Sequence, residues 1–157
     1  MQKGTPDNNF AENQKEISCK FCLITRHETE GRIVFEDEIS AVFLDRRPLF
    51  RGHCLVVPVE HYETLDDLPS NIMGPLFKNV QMVSIAVRQA MGGDGTFVAI
   101  NNKVSQSVPH LHVHVVPRKM KDGLRGFFWP RQSYPDAETE LSVQNAIKKE
   151  IARVLGS

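Results

Sequence analysis

Half of the chain's six histidines fall within five positions, in the run His110-Leu-His-Val-His114. On an extended strand side chains alternate between faces, so His110, His112 and His114 would project one way at about 6 to 7 Å intervals while Leu111, Val113 and Val115 project the other. The apolar set can enter a core, which leaves three imidazoles on a working face. Two chemistries compete for such a face. One is a three-histidine zinc site that polarises a water molecule. Three same-face positions on a straight strand span more than about 12 Å, too far for all three rings to reach one ion at about 2.0 Å. The other is covalent catalysis, in which one ring nitrogen attacks phosphorus while the second carries a proton that an acceptor holds in place.

A second group is Cys19-Lys-Phe-Cys22, two of the three cysteines in the chain. In a reducing compartment this spacing reads as metal binding or redox chemistry before a structural disulfide, and two histidines from elsewhere could complete a Cys2His2 tetrahedron. A reduced thiol pair without metal and a redox pair are the alternatives. Cys54 lies in the apolar run Cys-Leu-Val-Val and reads as a buried thiol. His53, at the start of the same run, is assigned a structural hydrogen-bonding role ahead of a ligand role. Arg46 and Arg47 fit either a phosphate contact or a solvated turn. Phe21, Phe43 and Leu44 fit either a base pocket or plain core.

These residues need elements to hold them. Residues 32–36, 41–45 and 53–58 show strand-like runs separated by turn residues, which predicts an antiparallel meander. From Pro69 to Met91 apolar residues recur at three- and four-residue intervals, with Pro69 and Ser70 at the start and Gly92-Gly93 just past the end, which predicts one long amphipathic helix. Two further strands, Thr96–Asn101 and Leu111–Val116, enclose a polar loop over 102–109, a natural place for a site. Residues 137–155 read as a C-terminal helix with Leu141, Ala146, Ile147, Ile151 and Leu155 near one face. The expected class is α+β, a mostly antiparallel sheet of about five strands with one long helix and a C-terminal helix. Residues 1–16 lack apolar anchors and read as a flexible tail, 17–118 as the working domain, and 119–157 as a C-terminal extension.

Composition narrows the function. Nineteen basic residues balance nineteen acidic ones, so the overall charge argues for neither nucleic acid nor an anionic membrane as partner, and any phosphate recognition must be local. No apolar run approaches the roughly 20 residues that cross a bilayer, and the polar N-terminus carries no secretory signal, so the cytoplasm is the default compartment.

The run His110-Leu-His-Val-His-Val-Val116, with Gln106-Ser-Val before it and Gly52-His-Cys-Leu-Val-Val-Pro58 followed by His61, resembles the histidine triad family over roughly residues 18–118. The resemblance implies that His112 is the nucleophile, forming a nucleotidyl-histidine that water resolves. It implies that His114 contacts the α-phosphate, that Ser107 stabilises the leaving group or a nonbridging oxygen, and that Asp45 accepts the ribose hydroxyls. Asn101 is assigned to the phosphate over Asn102, Gln106 to the substrate-binding set, and Phe43 to the base. Many bacterial-type members carry a Cys-x-x-Cys pair near the start. By that likeness Cys19, Cys22, His61 and His110 would hold a structural zinc that pins the N-terminal segment against the catalytic strand. The implied protein is a homodimeric, magnesium-independent hydrolase of a purine nucleotide joined through its α-phosphate to an amine or a second phosphate chain. His114 favours a hydrolase, because transferases and phosphorylases of the superfamily often carry Gln there. A nucleotidyl transferase or phosphorylase and a nucleotide-binding scaffold with vestigial activity remain the alternatives. Trp129, in the aromatic and arginine-rich stretch Arg125–Arg131, would close over a site or pack at an interface.

Overall fold

A computed structural model describes residues 19–124 and 132–156. The expected tail over 1–16 and the stretch Arg125–Arg131 with Trp129 lie outside the described residues. The chain divides into two compact units between Asp122 and Gly123.

The first unit contains α1 (Lys20–Thr25), β1 (Ile33–Glu36), β2 (Ser40–Leu44), β3 (Cys54–Pro58), α2 (Ser70–Ala90), β4 (Gly95–Ala99) and β5 (Val113–Arg118). The five strands form one sheet in the order β1-β2-β3-β5-β4, with every neighbouring pair antiparallel. The α+β class expected from the sequence is therefore the observed one. β2 and β3 are apolar on both sides because both faces of the sheet centre are covered, and every residue of β3 is buried.

Strand register decides which side chains reach which face. Phe43 stands opposite Leu55, and Leu55 opposite His114, so these three share one face. The other face carries Val42, Cys54, Val56, Val113 and Val115, which pack with Leu76, Val80, Val83 and Val87 of α2 in the main core. Those helix residues repeat at three- and four-residue spacing, so a single stripe of α2 is buried. On the opposite face α1 lays Cys19, Phe21 and Cys22 against Phe43, Leu55 and Val57 in a second, smaller cluster. The sheet is thus a partition between a core and a working surface.

Two strand boundaries differ from expectation. β4 ends at Ala99, so Asn101 belongs to the following loop. The β5 ladder begins at Val113, so among the three histidines only His114 is a ladder residue. Continuing the β3–β5 register would set Leu111 opposite Pro58, which has no N–H to give. Leu111 instead donates its N–H to the Tyr62 carbonyl at 2.6 Å, and the chain bends at His110.

In the second unit, α3 (Ala137–Leu155) occupies the expected C-terminal span, with Leu141, Ile147 and Leu155 exposed. No helix among the described residues is long and apolar enough to cross a membrane.

Candidate active site and metal centre

The working surface holds a cavity of about 680 Å³ lined by, among others, Phe21, Phe43, Asp45, Ser107, His112 and His114. Each comes from a different local constraint. Phe43 and His114 belong to the shared row of the sheet, and Phe21 is presented by the single buried side of α1. Asp45 directly follows β2, and its Oδ1 accepts the Arg47 backbone N–H at 2.7 Å in a local turn. Arg46, Arg47 and Leu44 line the same cavity.

Hydrogen bonds hold the histidine rings in defined orientations. His112 is only 4 % exposed, and its Nδ1 lies 2.7 Å from the His110 carbonyl oxygen. A carbonyl can only accept, so the neutral ring carries its one proton on Nδ1 and keeps its lone pair on Nε2. Phe21 packs edge-on against this ring at 5.2 Å between centroids, and His114 stands 4.8 Å away. Burial, together with the nearby His112 and His53 rings, pushes the His114 pKa down to about 4 against a smaller opposing pull from Asp45. His53 is also pushed down, chiefly by burial. Its Nε2 lies 3.0 Å from His114 Nδ1, and its Nδ1 lies 3.2 Å from the Leu49 backbone nitrogen and 3.7 Å from Asp45 Oδ2. Gly52, at φ +90°, turns the chain to present His53; a Cβ there would meet the Met91 side chain at 2.5 Å.

Two residues assigned to substrate from the sequence stand elsewhere. Asn101 is exposed, donates a long 3.5 Å bond to the Ser105 carbonyl, and is not among the cavity-lining residues. Gln106 donates to the Glu63 carbonyl at 2.6 Å and accepts from the Lys103 N–H at 2.7 Å. With Asn102, whose side-chain oxygen accepts the Leu65 N–H at 3.1 Å, it fastens the loop that carries Ser107 to the segment that follows His61. Lys103 and Ser105 both adopt positive φ in that loop, at 63° and 62°. Sequence reading missed the backbone groups at Leu49 and Pro58, because a main-chain N–H or carbonyl leaves no trace in residue type.

Behind Phe21 lies the second group. Cys19, Cys22, His61 and His110 bring one ligand atom each to within 4.8 Å of one another. Cys19 Sγ and Cys22 Sγ are 3.5 Å and 3.4 Å from His110 Nδ1, and Cys22 Sγ is 3.2 Å from His61 Nδ1. His110 is fully buried, and its Nε2 must donate to the Pro58 carbonyl at 3.0 Å, so the lone pair on Nδ1 faces the sulfurs. Burial and the neighbouring Cys19 raise the Cys22 thiol to about 11, so Cys22 keeps its proton unless a cation displaces it. Two sulfurs and two imidazole nitrogens at these spacings fit a tetrahedral ion of the zinc type, and the four residues could hold a metal. A smaller cavity of about 380 Å³ touches this group at Cys19 and His61 and shares Lys20, Ser107 and Val108 with the larger one.

Comparison with known proteins adds four findings. The family model described as HIT domain matches residues 26–121. An adenylylsulfatase of Arabidopsis thaliana is 32% identical over 120 residues; the match takes in 75% of this chain but 61% of that protein's length, less than two thirds of it. Among solved structures, a member of the HIT family from Bacillus subtilis superposes with a TM-score of 0.76 at 31% identity, covering 84% of this chain and 96% of that one. A zinc-bound histidine triad family protein from Mycobacterium smegmatis superposes with a TM-score of 0.65 at 31% identity, covering 88% and 99%.

Proposed function

We propose, from the fact that this chain belongs to the HIT domain family, that it is a nucleotide hydrolase acting at the α-phosphate of a purine nucleotide through a covalent nucleotidyl-histidine. The observation that carries the reading is the bond from His112 Nδ1–H to the His110 carbonyl, which leaves Nε2 for the substrate, on a ring that lines the same cavity as His114, Ser107 and Asp45. Nε2 attacks phosphorus, the leaving group departs with the electron pair of its bond, and the positive charge on the phosphorylated ring is met by the carbonyl at Nδ1–H. Water then attacks phosphorus, the N–P bond breaks, and a nucleoside monophosphate is released.

His114 and the Ser107 hydroxyl bind the oxygens on which charge develops, Asp45 accepts the ribose hydroxyls, and Phe21 and Phe43 wall the base. Ser107 lines both cavities, which favours a nucleotide in the larger one with its leaving group toward the smaller. Asn101 remains a candidate for the phosphate and Gln106 for the substrate-binding set; the bonds of Gln106 favour an indirect part, holding the Ser107 loop.

Zinc is the metal proposed for Cys19, Cys22, His61 and His110. Its contribution when bound is a cross-link between α1 and the segment that carries the histidines. Because Phe21 lies between the two cysteines and touches His112, that cross-link also fixes one wall of the cavity.

The proposed assembly is a cytoplasmic homodimer. Dimerisation is supported by the exposed Met73, Phe77 and Ile85 at helical spacing on α2 and by Val98 on the edge strand β4. A molar mass of one chain by light scattering at micromolar concentration would remove it.

The deciding experiment is a turnover panel of adenosine phosphoramidate, adenylylsulfate, an aminoacyl adenylate and dinucleoside polyphosphates, run on wild type and His112→Ala. At least one substrate should turn over in wild type and none in the variant, with AMP binding retained. Retained turnover in His112→Ala refutes the nucleophile. AMP binding without turnover of any substrate favours a binding protein, and release of a nucleoside diphosphate when phosphate is added favours a phosphorylase.

A further inference from the structure

Three polar groups form a line into the cavity: the Leu49 backbone N–H, His53 and His114. Leu49 can only donate, and its nitrogen is 3.2 Å from His53 Nδ1. That nitrogen must therefore present a lone pair, because a ring proton there would face the Leu49 hydrogen. The alternative, a proton on Nδ1 donated to Asp45, has to span 3.7 Å, beyond hydrogen-bond length. The single proton of a neutral His53 is left on Nε2, 3.0 Å from His114 Nδ1. His114 Nδ1 then accepts, and its own proton is left on Nε2.

We propose that His53 is a positioning residue that transmits the direction of the Leu49 N–H through two rings, fixing His114 as an Nε2–H donor toward the substrate phosphate. The inference rests on the reading of the cavity as a nucleotide site with His112 as nucleophile. It goes further in giving a defined task to His53, for which the sequence favours a structural hydrogen-bonding role over a ligand role, and to a main-chain group outside the triad.

The chemical value lies in the contrast with the neighbouring ring. His112 and His114 stand 4.8 Å apart between centroids, and each has its Nδ1 committed to a neighbouring group. One offers the cavity a lone pair and the other an N–H. A nucleophile needs the first, and the oxygen that gains charge as phosphorus is attacked needs the second. Were His114 to flip to the Nδ1–H tautomer, its Nε2 lone pair would face that oxygen and oppose the charge. Burial of His53 and His114 disfavours the imidazolium form that would break the chain of donors.

Two substitutions separate positioning from packing. Gln places an amide N–H where His53 has Nε2 and can still donate to His114; Asn places its amide nearer the Nδ1 position, where it can satisfy Leu49 but not reach His114. The tautomer of His114 is read on the resting, full-length, ¹⁵N-labelled protein from long-range ¹H–¹⁵N histidine correlations. Wild type and His53→Gln should show His114 protonated on Nε2, and His53→Asn should show it redistributed toward Nδ1. With any substrate that the wild type turns over, His53→Asn should lower kcat about 10²-fold, with KM nearly unchanged, as expected for one lost donor to developing charge. His53→Gln should recover most of that loss.

An Nδ1-protonated His114 in the wild type overturns the proposal without recourse to any variant. Equal activity of the Asn and Gln variants also overturns it, as does a loss that follows thermal stability and not the tautomer. If instead no nucleotide is hydrolysed, or His112→Ala stays active, the functional reading fails while the tautomer spectrum still decides the relay.

Discussion

His110 and His112 sit two residues apart on one segment, both deeply buried, yet they present opposite nitrogens to their surroundings. At His110 the Pro58 carbonyl takes Nε2–H and leaves Nδ1 for the two sulfurs; at His112 the His110 carbonyl takes Nδ1–H and leaves Nε2 for the cavity. The proposed metal corner and the proposed catalytic corner are thus built from the same side chain by moving one acceptor. An imidazole has one proton when neutral, so whichever nitrogen is given to a carbonyl decides which one is left for chemistry. Phe21 joins the corners physically, since its flanking cysteines belong to one and its ring touches His112 in the other.

The largest test of this division is His112→Ala, which should lower turnover by about 10³-fold or more, because a covalent route has no substitute for its nucleophile. Trapping of a phosphorus–nitrogen adduct in wild type, absent from the variant, checks the same point by mass spectrometry. The metal corner should answer differently. Cys19→Ser should abolish copurifying zinc and lower the thermal midpoint by several degrees, a loss of about 2 kcal/mol, while the residual activity of the folded fraction falls far less than in His112→Ala. Zinc below about 0.2 equivalents per wild-type chain would remove the metal from the comparison.

A pH series probes the catalytic corner. His114 is held near 4 in the folded chain, below its ordinary value near 6.5. A group whose pKa is lowered by folding binds protons more readily when unfolded, so its contribution to stability is present above pH 6.5 and is lost as pH falls toward 4. The urea midpoint should decline through that window, and His114→Gln should flatten the decline. A midpoint that stays level from pH 7 to 4.5 contradicts the neutral buried ring. The smallest effect belongs to the loop fastening. Gln106→Ala breaks the links to Glu63 and Lys103 and should cost about 1 kcal/mol, raising KM more than it lowers kcat. An effect confined to kcat would instead place Gln106 at the reacting centre.

Much of the architecture is legible from pattern alone. The apolar alternation over 32–58 and the three- and four-residue spacing over 69–91 mark a meander and a helix, and both occur at almost those limits. The ends of strands were less visible. Asn101 continues the alternation of β4 by residue type, but the hydrogen-bonded ladder stops at Ala99, where its antiparallel partner is His114. His110 and His112 look like strand residues from their spacing, while the missing N–H of Pro58 ends the pairing beside them. Cys19, Cys22, His61 and His110 could be grouped only through likeness to a family, because spacing within a chain says nothing about which distant histidines face two thiols.

By itself the sequence determined which side chains could share a face, since the two-residue period of an extended chain separates His110, His112 and His114 from Leu111, Val113 and Val115. It also supplied the pair of thiols in one turn with Phe21 between them. Which nitrogen of each ring meets the metal corner or the cavity was decided only in three dimensions. That choice depends on single main-chain groups, the carbonyls of Pro58 and His110 and the N–H of Leu49, and it takes the packing of the sheet and its loops to bring the first and last of them to the histidines.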